Sequence, residues 1–211
     1  MKSALFLSFL FAASLSAAEP VTLTLADFTD GDGKPVPAGW VQDSEGVISR
    51  VAKAGNIISK EEYSSFEIEW DWKLDAGGNS GIKYWVNKFD KKGWLGVEYQ
   101  MIDDEKHADA KKGDNHSTAS IYDIIGPVAD KGVKAAGEWN HSKVIVKDGK
   151  IEHWLNGKLA ASADTKSEAW KTGIANSKFK AVEGFAPGKG KLMLTDHGDP
   201  VWWKNIRVKA L

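Results

Sequence analysis

The stretch Phe66-Glu-Ile-Glu-Trp-Asp-Trp-Lys-Leu74 decides the fold class of this chain. Apolar and charged residues alternate along it without a break, which is the pattern of a β-strand with one buried face. Two dipeptides that suit tight hairpin turns follow later, Asp148-Gly149 and Asn156-Gly157. They predict a three-stranded meander made of His141–Lys147, Lys150–Leu155 and Lys158–Ala163.

Seven further segments have strand character, and the only helix predicted is a short one at Ser167–Lys171, so the sequence predicts an all-β sandwich or barrel. Residues 104–116 are rich in Asp, Lys, Gly and His, and we expect an exposed loop that lies over a functional site. The further strands are predicted at Val21–Phe28, Gly46–Val51, Gly81–Asn87, Val97–Asp103, Ser117–Ile125, Lys191–Asp196 and Trp202–Lys209.

Residues 1–18 have the features of a signal peptide. Lys2 gives a positive start, Ala4 to Leu15 form an apolar run, and Ser16-Ala17-Ala18 is a small-residue cleavage site. We therefore expect an exported protein, periplasmic or secreted, with residues 19–211 as a single domain and no membrane span. The chain has no cysteine, which excludes disulfides and thiolate chemistry, and its net charge of -1 gives no nucleic-acid footprint.

A polar cluster follows the strand that starts at Val97. Glu98 and Gln100 share one face of it, and Asp103, Asp104 and His107 come directly after. Such side chains move protons, hold metals or bind sugar hydroxyls. The structural alternative is a solvated sheet face followed by a polar loop.

Two histidines have positions that allow either a catalytic or a structural role. His153 has Ile151 and Leu155 on its own face of a strand, so it is either a catalyst or a core residue with satisfied hydrogen bonds. His197 ends a strand in Asp196-His197-Gly198, which suits a catalytic imidazole at a sheet rim or simply a turn. His116 and His141 fall in stretches predicted to be exposed, and we assign them no role.

Lys83 and Trp85 alternate with apolar residues and are predicted to share one face of their strand. On a ligand-binding face, Lys83 would stabilise a negative oxygen and Trp85 would stack on a sugar ring. The alternative is a surface lysine and a core tryptophan. Trp202 and Trp203 must face opposite ways, so we expect one to be buried and Trp202 to be a candidate stacking surface.

Six motifs occur in order along the chain: Asn79-Ser-Gly-Ile, Glu98-Tyr-Gln-x-x-Asp-Asp-x-x-His107, Gly137-Glu-Trp-Asn140, Ile151-Glu-His-Trp-Leu-Asn-Gly157, Ser177-Lys-Phe179 and Asp196-His-Gly-Asp-Pro-Val-Trp202. Together they resemble the 3-keto-disaccharide hydrolase family, also described as 3-keto-glucoside 1,2-lyase/3-keto-2-hydroxyglucal hydratase. The resemblance covers nearly the whole chain after residue 18. It implies a fold similar to the concanavalin A-like lectins and glucanases, a two-sheet antiparallel jelly-roll sandwich with at most short helices and a ligand site on the concave face.

The resemblance also implies a reaction. A separate oxidoreductase supplies the 3-keto-glycoside substrate, a base removes the proton at C2, and β-elimination expels the aglycone from C1. Hydration of the resulting 2-hydroxy-3-keto-glucal follows. For this chemistry we expect catalytic roles for Glu98, His107, His153 and His197, and substrate contacts from Lys83, Trp85, Gln100, Asp103 and Trp202.

We also expect a divalent metal ion as the electrophile, bound by a subset of Glu98, Asp103, His107, His153 and His197, and no nucleotide or organic cofactor. One alternative is a non-catalytic carbohydrate-binding module on the same sandwich. Another is a classical glucanase, whose paired carboxylates follow the pattern Glu-x-Asp-x-x-Glu. Here Glu69 and Asp71 are followed by Leu74 where that pattern needs the last Glu.

Overall fold

The computed structural model describes residues 19–211. The predicted signal peptide at residues 1–18 lies outside them, so it and the domain boundaries stay predictions. The described residues form thirteen strands and one α-helix, α1 at Glu168–Asn176, with three short 3₁₀ turns. The strands are β1 Val21–Thr22, β2 Phe28–Thr29, β3 Trp40–Gln42, β4 Ile48–Arg50, β5 Ile57–Tyr63, β6 Phe66–Leu74, β7 Asn79–Phe89, β8 Gly93–Ile102, β9 Asn140–Lys147, β10 Lys150–Leu155, β11 Lys158–Asp164, β12 Gly190–Leu194 and β13 Val201–Ala210.

The strands form two antiparallel sheets. The larger has the order β11-β10-β9-β6-β13-β4-β3, with β1 paired to β13, and the smaller has the order β2-β5-β12-β7-β8. Hairpin neighbours such as β9 and β10 alternate with neighbours from distant parts of the chain, such as β6 and β13, as in a jelly roll. The predicted all-β, two-sheet jelly-roll sandwich is confirmed. Within residues 19–211, no helix combines the length and the apolar character needed to cross a membrane.

The core lies between the sheets, and β6 shows why the alternating stretch specifies it. Phe66, Ile68, Trp70, Trp72 and Leu74 are all buried against the other sheet, while the charged residues between them are half exposed. Burying each large apolar side chain contributes about 1.5–3 kcal/mol, so this one strand supplies a large part of the favourable free energy of folding.

Two predicted strands are wrong in part, and the backbone explains both. The segment Ser117–Ile125 makes only isolated bridges at Ile121, because Ala119 and Asp123 adopt positive φ angles of 65° and 63° that interrupt an extended chain. The segment Val21–Phe28 is interrupted by a 3₁₀ turn at Leu25–Asp27.

The predicted meander is confirmed as β9, β10 and β11. Its turn residues Asp148 and Asn156 have positive φ angles of 52° and 48°, as the two dipeptides predicted. The helix predicted at Ser167–Lys171 is α1, which begins one residue later, at Glu168, and extends to Asn176. Ser167 is its N-cap and accepts a hydrogen bond from the Trp170 N–H at 3.2 Å.

A β-bulge in β7 reverses one predicted face. Tyr84 pairs with Val97 and Asn87 pairs with Leu95, so three steps along β7 match only two along β8. The extra residue is Trp85, whose φ angle is 51°. The bulge turns Trp85 into the core, where it is 2% exposed. The prediction that Trp85 shares a face with Lys83 is therefore wrong.

Candidate active site

Glu98 is the centre of a polar cluster on the smaller sheet. The odd-numbered residues 97, 99 and 101 of β8 lie in the core, so Glu98 points to the opposite face. It is nevertheless only 2% exposed. Its Oε2 atom lies 3.5 Å from Lys83 Nζ, and its Oε1 atom lies 3.6 Å from His197 Nε2. The structure therefore brings together three residues that the sequence predicted for one site.

The space for the carboxylate depends on a glycine in the neighbouring strand. A Cβ atom at Gly81 would lie 2.7 Å from Glu98 Oε1 and 2.9 Å from the Tyr99 carbonyl oxygen. Both distances are too short for real contacts. Gly81 in the motif Asn79-Ser-Gly-Ile thus leaves room for the buried carboxylate.

Glu98 is ionised at neutral pH. Burial alone would raise its pKa, but the Lys83 ammonium, the contact with the His197 imidazole and the Lys178 ammonium outweigh burial and lower the pKa to about 2. The Oε1 atom has no hydrogen-bond partner in the described structure. A buried carboxylate with a free acceptor oxygen is costly unless a ligand or a protonated partner uses it.

The His197 turn is fixed by its neighbour Asp196. One carboxylate oxygen of Asp196 accepts hydrogen bonds from Arg50 Nε and the Gly198 N–H, both at 2.9 Å. The other accepts from the N–H groups of Ala54 and Gly55, at 2.9 and 2.8 Å. Burial would raise the pKa of Asp196, but these hydrogen bonds and the guanidinium charge lower it. Asp196 is thus a structural anchor that holds the imidazole over Glu98.

Two amide side chains extend the site along the same face. Gln100 is buried and has a side-chain oxygen without a hydrogen-bond partner, and the same holds for Asn79 in β7. Gln100 is paired with Gly81, so both amides lie on the Glu98 face next to the carboxylate. Free acceptor oxygens in a row suit the hydroxyl groups of a sugar.

The segment after β8 pairs with the edge of β8 and contains a hydrogen-bonded network that the sequence did not predict. His116 lies between two carboxylates, with Nδ1 3.2 Å from Asp109 Oδ2 and Nε2 3.2 Å from Asp123 Oδ1. The Tyr122 hydroxyl donates to the same Asp109 oxygen at 2.8 Å, and the Tyr122 N–H donates to the Glu98 carbonyl at 3.0 Å. The prediction that His116 is exposed is therefore wrong. The network fastens the loop to β8.

The other predicted histidines lie away from this cluster. His153 is fully buried in the core, where its Nδ1 faces the carbonyl oxygens of Ala119 and Ser120 and its Nε2 accepts from the Tyr84 hydroxyl at 3.0 Å. Burial lowers its pKa to about 4, so the ring is neutral. His153 is a core residue with satisfied hydrogen bonds, which was the structural alternative, because its strand face belongs to the interior.

His107 is also separate from Glu98, although both residues were predicted to belong to one catalytic site. Its Nδ1 accepts a hydrogen bond from the Asp109 N–H at 3.0 Å, and no hydrogen bond or ion pair joins it to Glu98 in residues 19–211. Asp103 accepts hydrogen bonds from three loop N–H groups, which lower its pKa against the opposing effect of burial. It lines a separate cavity of about 340 Å³ at one end of the sandwich.

Trp202 lies on the outer face of the larger sheet, on the far side of the core from Glu98. Its partner Trp203 is fully buried, so the predicted alternation is confirmed. The Lys73 ammonium lies 4.8 Å from the Trp202 ring centroid. The predicted contact of Trp202 with the substrate of the Glu98 site does not fit this placement.

The residues proposed as metal ligands are not brought together. Among these residues of the described range, the one ion pair joins Glu98 and His197, and no group of three His, Asp or Glu side chains in residues 19–211 is arranged to hold a metal ion. The donor set of the site does not fit a protein-bound catalytic metal. The expected divalent cation stays a prediction.

Comparison with known proteins places these motifs in context. A family model described as the 3-keto-alpha-glucoside-1,2-lyase-like domain matches residues 24–209. A 3-keto-disaccharide hydrolase from Bacteroides thetaiotaomicron is 32% identical over an alignment that covers 95% of this chain and 86% of that protein.

Two solved structures are similar in fold. One is the structure of a protein from Parabacteroides distasonis ATCC 8503 that is provisionally named a glycosyl hydrolase. It has 35% sequence identity and a TM-score of 0.79, and the match covers 89% of this chain and 90% of that one. The other is a Bacillus licheniformis β-glucanase with 11% identity and a TM-score of 0.52 over 94% of this chain and 100% of that one. The second likeness concerns the fold alone.

Proposed function

This chain belongs to the 3-keto-alpha-glucoside-1,2-lyase-like family, and we propose that it cleaves the glycosidic bond of 3-keto-glucosides and 3-keto-disaccharides. The proposal draws on the name of the Bacteroides relative, a 3-keto-disaccharide hydrolase. The single observation that carries it is the buried, ionised Glu98 with a free oxygen, held between Lys83 and His197.

The 3-keto group makes the first step chemically accessible. A hydrogen on C2 is acidic because it is adjacent to the C3 carbonyl. When a base takes that proton, the C–H electron pair forms a C2–C3 double bond and the carbonyl oxygen becomes negatively charged. The electron pair of the C2–C3 double bond then forms a C1–C2 double bond while the oxygen re-forms the C3 carbonyl. The bond from C1 to the aglycone oxygen breaks, and its electrons leave with that oxygen. The expelled oxygen takes up a proton.

We assign the base to the pair of His197 and Glu98. The His197 side chain is 38% exposed and therefore accessible to a ligand, whereas Glu98 is almost fully covered. A carboxylate with a pKa of about 2 is also a weak base for a carbon acid. Glu98 instead orients the imidazole and stabilises the positive charge that His197 gains when it accepts the C2 proton.

The elimination product is a 2-hydroxy-3-keto-glucal, and water can add to it at C1 while a proton returns to C2. The same histidine, now protonated, is placed to give that proton back. The net result is hydrolysis, which accords with the relative's name. The free acceptor oxygens of Gln100 and Asn79 would bind hydroxyl groups of the sugar.

The proposed reaction requires a separate oxidoreductase that converts the sugar 3-hydroxyl to a ketone, because the proposed substrate already carries the 3-keto group. We also propose that the protein is exported, from the signal features of residues 1–18. It would then act on substrate outside the cytoplasm.

Replacement of Glu98 by Gln tests the assignment. We expect Glu98→Gln to slow release of the aglycone from a 3-keto-glucoside by roughly 10²-fold or more, because the histidine loses its charged partner. Glu67→Gln is the matched control, since Glu67 lies half exposed on the larger sheet. Full activity of Glu98→Gln, or an equal loss in both variants, would overturn the proposed site.

A solvent-isotope measurement tests the chemistry. Turnover in D₂O should place deuterium at C2 of the hydrated product, since the abstracted proton exchanges with solvent before it returns. Product incubated in D₂O without the protein measures the background exchange. Direct displacement at C1 would leave C2 at the background level and would contradict elimination.

A further inference from the structure

A second lysine lies beside the site and differs from Lys83 in its surroundings. Lys178 belongs to the loop that follows α1, and its ammonium group lies 4.2 Å from the Tyr122 ring centroid and 5.1 Å from that of Phe179. In residues 19–211 it forms no ion pair with a carboxylate, whereas the Lys83 ammonium is paired with Glu98. Aromatic ring faces attract a cation without neutralising it.

Lys178 also interacts electrostatically with the reacting cluster. Burial lowers its pKa, the Glu98 charge opposes that effect, and the Lys83 charge lowers the pKa further. The same ammonium contributes to the lowered pKa of Glu98. The Tyr122 ring that the Lys178 ammonium contacts belongs to the residue whose N–H donates to the Glu98 carbonyl at 3.0 Å, which places Lys178 in the neighbourhood of Glu98.

The backbone of Lys178 is held by the His116 network beside the site. Its backbone N–H donates to Asp123 Oδ2 at 2.7 Å, and the other oxygen of Asp123 faces His116. Both ring nitrogens of His116 face carboxylate oxygens, those of Asp109 and Asp123, each at 3.2 Å. Asp109, His116 and Asp123 thus form a charged brace behind the Tyr122 ring.

Tyr122 itself is not available as an acid. Its hydroxyl proton is committed to Asp109, and burial together with that carboxylate raises the pKa of Tyr122 well above its ordinary value. The Tyr122 ring therefore acts as a neutral support for the ammonium group. The brace therefore supports the positive charge of Lys178 beside the site.

We propose that Lys178 contacts the substrate and stabilises the oxygen at C3 when it becomes negatively charged. Lys83 is less suited to this task because the Glu98 carboxylate already offsets its charge. An ammonium group held in place before the reaction needs no reorganisation as the oxyanion forms, which is the condition for a large effect on rate. This assignment rests on the proposed cleavage of 3-keto-glycosides and adds a role for one more residue in it.

Steady-state kinetics of Lys178→Met, with Lys180→Met as the control, test the assignment. Lys180 lies two positions along the same loop and is exposed, as Lys178 is, so its replacement controls for local charge. Loss of one oxyanion partner is expected to lower kcat about 10²-fold, with Lys180→Met close to wild type. Lys178→Arg should recover part of the rate because it keeps the charge. Thermal unfolding of each variant shows whether the loop is still folded.

A second measurement does not depend on turnover. Glu98→Gln protein is treated with limiting acetic anhydride, with and without a methyl 3-keto-glucoside, and acetylation of each lysine is read by peptide mass spectrometry. The ligand should protect Lys178 and leave Lys180 unchanged. Equal acetylation of Lys178 in both samples, or full kcat in Lys178→Met, would overturn the assignment. If wild-type protein releases no aglycone, the proposed function fails, and protection of Lys178 still reports separately on ligand contact.

Discussion

Replacement of His153 by Gln is expected to make folding less sensitive to acid. The ordinary pKa of histidine is 6.5, and burial lowers that of His153 to about 4. Its Nδ1 must donate to the carbonyl oxygens of Ala119 and Ser120, so the Nε2 that accepts from Tyr84 has no room for a second proton. Glutamine keeps one donor and one acceptor and cannot gain a charge.

The sign and size follow from proton binding. Between pH 6.5 and pH 4 the unfolded chain binds a proton at position 153 and the folded chain does not, so the free energy of unfolding falls as the pH falls through this window. Each pKa unit corresponds to about 1.4 kcal/mol, so the full effect is about 3 kcal/mol, and most of it is present by pH 4.5.

Urea unfolding followed by tryptophan fluorescence at pH 7.5 and pH 4.5 measures the effect. Other groups titrate alike in both proteins, so the wild type should lose about 2–3 kcal/mol more than His153→Gln between the two conditions. Equal losses would refute the assignment of His153 as a neutral core residue. The variant should also keep its activity within about tenfold, since His153 lies outside the site.

Three further outcomes are expected. Gly81→Ala should lower stability by about 1–3 kcal/mol and displace Glu98, which thermal unfolding and initial rates would detect; an active, stable variant would contradict the close contact. Arg50→Met should lower kcat about tenfold with little change in KM, because it loosens the Asp196 anchor. Arg207→Met on the larger sheet is the control and should leave kcat unchanged, and equal kcat values for the two variants would contradict the anchor role. Exhaustive chelation should leave the rate unchanged if lysine charge stabilises the oxyanion, and a loss restored by a divalent cation would favour the predicted metal instead.

The sequence predicts those features that depend on residues close together in the chain. The alternation in Phe66–Leu74 and the turn dipeptides at residues 148–149 and 156–157 depend on local backbone geometry, so they predicted strands and turns correctly. Glu98, Lys83 and His197 were identified because polar residues in a strand face or at a strand end stand out against an apolar pattern.

Other features depend on where distant segments meet. A single extra residue at Trp85 reversed a face, and strand alternation alone does not predict a bulge. His116 lies in a polar loop with no periodic pattern, and its two carboxylate partners become neighbours only when that loop folds over β8. Lys178 was part of a recognised motif, but its role depends on contact with Tyr122, which the sequence does not specify.

The most direct test of the central claim compares two substrates that differ only at C3. Purified protein is given a nitrophenyl 3-keto-glucoside and the matching unoxidised nitrophenyl glucoside, and release of nitrophenol is followed. The account predicts release from the keto compound alone, because without the ketone no side chain in the site is basic enough to remove the C2 proton. Release from both at comparable rates, or tight binding of the plain glucoside without release from either, would contradict it.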